Sequence, residues 1–165
     1  MKEIEKIAFF YPLITGENNP ILRNHCKEVE TFDQEIQDFA IILTELMYHY
    51  EGVGLAAPQL WKQIRMVAVT QWKEKGKKRI HLGEKILINP VLLEHSQETI
   101  LFEEWCLSLP DTFGKVRRYQ TIKISYFDEQ GHKHTEQFSG YNAIIIQHEM
   151  DHLEGILFVD KLTKS

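Results

Sequence analysis

Two histidines four residues apart, His148 and His152, with Glu149 beside the first, form the densest chemistry in the chain. On a helix of about 3.6 residues per turn the two rings stand on one face, and Glu149 lies about 100° round from His148. Two imidazoles at that spacing can share one divalent metal, with the carboxylate close enough to reach whatever they hold. The preceding run, Ala143 to Ile146, is apolar, and Gly155 stands where a helix stop is expected. A helix with two histidines by chance, one of them packed in the core, is the competing reading. A third ligand decides between the two.

Only residues 153–165 follow the helix motif, and they contain neither histidine nor cysteine. Glu154 and Asp160 follow so closely that a return to the metal is sterically difficult, so the third ligand is expected upstream. Cys106 is the strongest candidate. Its thiolate would complete a Cys-His-His set with the fourth position open for water, the layout of a catalytic site. A buried structural cysteine is the alternative. His25 and Cys26 are neighbours and cannot form a metal face on a regular element, which gives them a structural role. His132 and His134 share one face of a strand, but their polar neighbours mark a solvated edge.

The elements that must position these residues can be read from pattern and composition. A chain of 165 residues with 43% hydrophobic and 26% charged residues suits a single globular domain over residues 1–165, with a core that needs no disulfides. The net charge of -5 argues against nonspecific nucleic-acid binding. No apolar run approaches the roughly 20 residues that cross a bilayer. The N-terminus lacks the apolar stretch of a secretory signal, and two cysteines make no disulfide framework. A cytoplasmic, soluble, monomeric protein is expected.

Tyr11 to Glu30 reads as irregular chain over a core. An amphipathic helix follows from about Asp33 to Tyr50, capped by Thr31 or Asp33. The small residues of Glu51 to Gln59 permit close backbone approach, with a helix cap and turn as the plainer reading. They lack the Gly-Lys-Ser/Thr ending of a phosphate loop. Gln59 is the one polar side chain there that could point usefully into a site. Downstream, the pattern predicts a strand over 65–71, a charged loop or hairpin tip over 72–83, and a strand over 86–88 ended by a turn at Asn89-Pro90. A short extended run over 97–103 follows, then a strand over 122–126 and a hairpin turn over 128–131 leading to a partner strand over 132–139. Lys73, Lys75, Lys77 and Lys78 read as a solvated edge. The fold expected is α+β: short, mainly antiparallel sheets packed around a C-terminal metal-ligand helix, plus an N-terminal amphipathic helix.

Three ordered motifs carry a resemblance. Gly52-Val53-Gly54-Leu55-Ala56-Ala57-Pro58-Gln59, Glu104-Trp105-Cys106-Leu107-Ser108 and Gln147-His148-Glu149-Met150-Asp151-His152 resemble those of peptide deformylase, in order and in spacing. The resemblance runs from about Pro20 to Asp160. It implies that Cys106, His148 and His152 hold a divalent metal, commonly Fe²⁺, with Zn²⁺, Ni²⁺ or Co²⁺ as substitutes. A metal lowers the pKa of bound water, so hydroxide near neutral pH would attack the formyl carbon of an N-formylmethionyl peptide. The resemblance further implies that the Gln59 side-chain amide and the Leu107 backbone N–H meet the oxyanion. Glu149 would act as general base and then general acid, giving formate and a free N-terminal methionine. The Gly54 backbone, with Val53 beside it, would align the substrate as an added strand. Helix geometry adds Tyr141, Ile144 and Ile145, seven, four and three residues before His148, as candidate walls of a methionine pocket.

One position departs from the motif: Trp105 stands where the family carries glycine. If the backbone there has positive φ, tryptophan imposes strain; if it borders the substrate groove, the indole narrows it or supplies a stacking wall. Formylated nascent peptides are the implied partners, and a direct ribosome contact is left open. The short tail argues against one made through a long C-terminal helix. A metallopeptidase cleaving internal bonds is one alternative. A catalytically silent peptide binder, favoured only by Trp105, is another.

Overall fold

The computed structural model describes residues 3–163. Helix α1 spans Glu3–Phe10, and its Ile4, Ile7 and Ala8 pack against the same cluster as α2. The sequence reading assigned no helix there. Helix α2, Gln34–His49, starts at Asp33, whose carboxylate accepts the Ile36 N–H at 3.1 Å. That bond satisfies one of the free amides of the first turn, so of the two expected caps Asp33 is the one used.

Seven strands follow: β1 Gly54–Ala56, β2 Met66–Lys75, β3 Lys78–His95, β4 Thr99–Cys106, β5 Leu109–Tyr119, β6 Thr121–Phe127 and β7 Lys133–Ser139. The five-stranded sheet has the order β1-β2-β3-β6-β7, and β4 pairs with β5 in a separate ribbon, all antiparallel. Helix α3, Gly140–Leu153, carries the histidine motif. The architecture is the α+β arrangement expected.

Strand β2 explains how the layers assemble. Side chains alternate across a strand, and here both faces are buried. Val67 and Val69 join α3 residues Ala143, Ile145 and Ile146, while Met66 and Ala68 join the α2 residues Leu43, Leu46 and Met47. The sheet therefore lies between the two helices. Each fully buried aliphatic side chain contributes roughly 1.5–3 kcal/mol relative to exposure, which ties α3 firmly to the sheet.

Three local expectations are resolved or corrected. Of the loop and the hairpin tip expected over 72–83, the hairpin is the one found, and it is fully paired: β2 and β3 run together as far as Lys75↔Lys78, with one register shift between Gln71 and Trp72. The lysines hid the strand because their charged ends are solvated while the backbone remains hydrogen-bonded. Asn89-Pro90 is not a turn, since β3 continues through it with a register shift between Ile88 and Val91. Asn89 takes φ 50°, and its side chain bonds both the N–H and the C=O of Val29 at 2.9 Å. The bulge accommodates a proline that cannot donate to a ladder. Finally, the glycine-alanine stretch is more than a cap and turn. It forms edge strand β1 and then a single 3-10 turn over Ala57–Leu60.

Gly155 ends α3 at φ 70°, and an added Cβ there would run into the Arg23 backbone carbonyl. Gly155→Ala is expected to cost about 2 kcal/mol or more, from the left-handed conformation and the collision together. A thermal melt of the variant against the natural protein checks this.

Candidate active site

Helix α3 places His148 and His152 one turn apart, with ring centroids 5.2 Å from each other. Cys106, the last residue of β4, brings its Sγ to 3.3 Å from His152 Nε2. The ligand atoms of all three lie within 4.8 Å of one another, the one such cluster of His, Cys and acidic groups among the described residues. One thiolate and two imidazoles with metal bonds of about 2.0–2.3 Å fit that spacing around a single ion.

The surroundings also fit a cation. His148 Nδ1 meets Glu104 Oε2 at 2.8 Å, which fixes the ring and turns Nε2 toward the cluster. Burial opposes charge on His148, yet hydrogen bonding to Cys106 and Glu104 outweighs it and raises its pKa well above the ordinary value. The pocket thus favours positive charge. Burial, reinforced by His148, pushes His152 well below the ordinary value, keeping a neutral imidazole as a metal ligand requires. His152 Nδ1 and Glu149 Oε2 are buried without hydrogen-bond partners among the described residues. The Glu149 oxygen belongs to a cleft-lining residue that water or substrate can satisfy, whereas His152 Nδ1 is on the ring edge away from Cys106.

Glu104 belongs to a buried ion network. Arg118, 3% exposed, donates to both its oxygens at 2.6 and 2.9 Å and to Asp151 at 2.5 Å. Lys161 completes the set, 2.7 Å from Asp151. Burial would raise Glu104, but the bonds from Arg118 and His148 prevail and hold its carboxyl at about 2. The network links β4, β5 and α3. Sequence reasoning gave no role to Glu104, Arg118 or Asp151. Glu104 and Asp151 lay inside recognised motifs, which was the available signal; Arg118 is an arginine in a polar strand until folding buries it.

Gln59 sits in the 3-10 turn after β1. Its Oε1 accepts the Ala56 N–H at 2.8 Å, while Nε2 donates to Ser108 Oγ at 3.0 Å and points at Cys106 Sγ from 3.7 Å. The amide is thereby oriented with its donor end toward the cysteine. Glu149 is 4% exposed, and burial, only partly countered by His148, pushes it up to about 7. Gly54 lies against it: an added Cβ would overlap the Glu149 carboxyl.

These groups open onto one cleft. Val53, Gly54, Gln59, Trp105, Cys106, Leu107, Tyr141, Ile144, Ile145, His148 and Glu149 all line it, together with Phe102, which the sequence reading did not single out. His152 is buried behind them, 2% exposed. Tyr141 packs 5.7 Å from Phe102 and under the Arg79 guanidinium at 3.8 Å. Trp105 is absent from the positive-φ positions, so the strain considered for it does not arise. Its indole is 51% exposed at the cleft rim.

Residues 12–165 match the family model for polypeptide deformylase. The chain belongs to that family. It is 39% identical over 146 residues to the peptide deformylase of Brucella suis, covering 88% of this chain and 81% of that one. The crystal structure of peptide deformylase from Thermotoga maritima superposes with a TM-score of 0.81 at 36% identity, over 93% of this chain and 98% of that one. The Met-Ala-Ser-bound class I type b peptide deformylase from Acinetobacter baumannii gives 0.84 at 33% identity, over 92% and 97%. Deformylase membership brings the reaction with it: hydrolytic, metal-dependent removal of the formyl group from N-terminal formylmethionine, with release of formate. Nothing in these similarities favours internal peptide-bond cleavage or silent binding.

Proposed function

We propose that deformylation is carried out in the cleft between β1, β4 and α3, with its parts divided among the residues gathered there. The observation that carries this reading is the convergence of Cys106, His148 and His152 within 4.8 Å, with Glu149 and Gln59 on the same cleft. A divalent ion held by those three ligands, Fe²⁺ in our reading with Zn²⁺, Ni²⁺ or Co²⁺ as substitutes, supplies water activation near neutral pH and polarisation of the formyl oxygen.

The chain's own groups do the rest. Glu149 takes the proton from the attacking water as the new C–O bond forms, and returns it to the α-amine as the C–N bond breaks. A buried carboxyl on the wall of the cleft, with one oxygen free of protein partners among the described residues, is placed for both halves of that exchange. Gln59 Nε2 and the Leu107 N–H donate to the developing oxyanion, and the bonds from Gln59 to Ala56 and Ser108 hold its amide in place beforehand. Among the described residues β1 pairs only with β2, and β4 only with β5. Residues of both strands line the cleft, so an extended peptide can lie between them as an added strand. The methionine side chain then enters the apolar pocket of Phe102, Tyr141, Ile144 and Ile145.

Formylated nascent chains are the substrates we assign, in the cytoplasm and by a monomer. Among the described residues no helix is long and apolar enough to cross a membrane. The deciding assay is formate release from formyl-Met-Ala-Ser by anaerobically purified, Fe²⁺-loaded protein, beside unblocked peptides. Release of formate without cleavage of the unblocked peptides is the expected result. The reverse pattern would make the protein a peptidase.

The contact between Gly54 and Glu149 gives a further check. Gly54→Ala is expected to lower kcat/KM by about tenfold to a hundredfold, because the methyl group displaces the Glu149 carboxyl from its working position. Metal content should stay at the natural level, since the atoms nearest the added methyl group belong to Glu149 and not to Cys106, His148 or His152.

A further inference from the structure

The outer face of the β4–β5 ribbon carries a feature that the reaction itself does not use. Along β4, Glu104 and Cys106 are buried and Phe102 is half-buried, whereas Leu101, Glu103 and Trp105 alternate outward. Across the ribbon the outward residues meet Arg117, Lys115 and Phe113 respectively. Trp105 and Phe113 are therefore directly opposed on one face, 51% and 66% exposed. Two large aromatic groups in one row, Trp105 at the rim of the cleft and Phe113 across the ribbon from it, are an unusual use of solvent-facing positions.

Strand alternation decides which part of a substrate reaches them. Phe102, on the inward side of β4, contacts Tyr141 and helps line the methionine pocket. A peptide laid along β4 with its methionine in that pocket points its second side chain to the opposite face. That is the face of Trp105 and Phe113. Cross-strand neighbours on one face stand about 4.5–5.5 Å apart at Cβ, so the second residue extends the row beside the indole.

We propose that Trp105, backed by Phe113, is a specificity-determining residue that favours an aromatic or large apolar residue directly after the formylmethionine. This rests on the deformylase reading above. An acidic second residue is disfavoured, because its carboxylate would lose water against the indole without gaining an apolar contact, while Glu103 and Lys115 balance each other further along the face. No backbone rearrangement is required, since Trp105 already sits in extended conformation.

The test compares formyl-Met-Phe-Ser, formyl-Met-Ala-Ser and formyl-Met-Asp-Ser as substrates of the metal-loaded natural protein, Trp105→Ala and Trp105→Phe. For the natural protein kcat/KM should be about fivefold to tenfold higher with Phe than with Asp, mostly through KM, as one aromatic contact allows. Trp105→Ala should bring that ratio to within about twofold, and Trp105→Phe should keep most of it. Calorimetric binding of the products Met-Phe-Ser and Met-Asp-Ser should show the same order without any chemistry. Equal rates for the three peptides in the natural protein would overturn the proposal, as would a preference that survives Trp105→Ala. Failure of the natural protein to release formate from any of them would instead sink the deformylase reading, and this proposal with it.

Discussion

Glu149→Gln should abolish formate release while the protein keeps its metal. The amide is nearly the shape of the carboxylate, so the packing against Gly54 is preserved. Glu149 Oε2 has no hydrogen-bond partner among the described residues, so the exchange breaks no existing bond there. What disappears is the ability to accept a proton from water and pass it to the amine. Positioned general acid–base groups contribute about 10²–10⁴ in rate, and a fall of kcat in that range is expected. Metal per chain and the melting temperature should stay close to those of the natural protein, because Cys106, His148 and His152 are untouched. A variant that held its metal and turned over normally would mean that another group moves the proton.

The pieces of this site differed in how openly the sequence displayed them. His148, Glu149 and His152 were legible because helical periodicity converts a spacing of four into a shared face, whatever the rest of the chain does. Cys106 became legible only by elimination, once the residues after α3 offered no histidine or cysteine. Strand β1 was not legible as a strand. Gly54, Leu55 and Ala56 lack the β-branched and aromatic residues that signal one, and pairing with Val67 to Val69 creates it. Lysines left 72–83 open between a loop and a hairpin tip, and Asn89-Pro90 looked like a turn because the bonds from the Asn89 side chain to Val29 are invisible in sequence. The effect of Trp105 was open in both directions, since neither backbone φ nor groove position can be read from residue type. The Glu104–Arg118–Asp151 network was hidden for a deeper reason. Its members sit 14 and 33 residues apart in sequence, and only the packing of β4, β5 and α3 makes them neighbours.

That network should give the largest stability effect. Glu104→Ala leaves Arg118 buried with only Asp151 to balance it, and removing one partner of a buried pair typically costs about 3–5 kcal/mol. The same change releases His148 Nδ1, so metal affinity should fall by about 10- to 100-fold through loss of ring orientation. The pH dependence follows from the sign of the shift. Glu104 is held at about 2 against an ordinary 4.5, so its contribution is complete above 4.5 and is lost as pH falls toward 2. The natural protein should therefore show an acid-side loss of stability that the variant lacks. Two roles can be separated by making both positions apolar. Glu104→Met combined with Arg118→Met removes the unpaired charge and should recover most of the stability, as apolar replacement of a buried pair often does. It cannot restore the bond to His148, so metal affinity should remain low. Recovery of both properties together would mean that His148 is aimed by helix packing alone. Recovery of stability alone assigns Glu104 the positioning of the metal ligand, with Arg118 there to keep that carboxylate charged inside the fold.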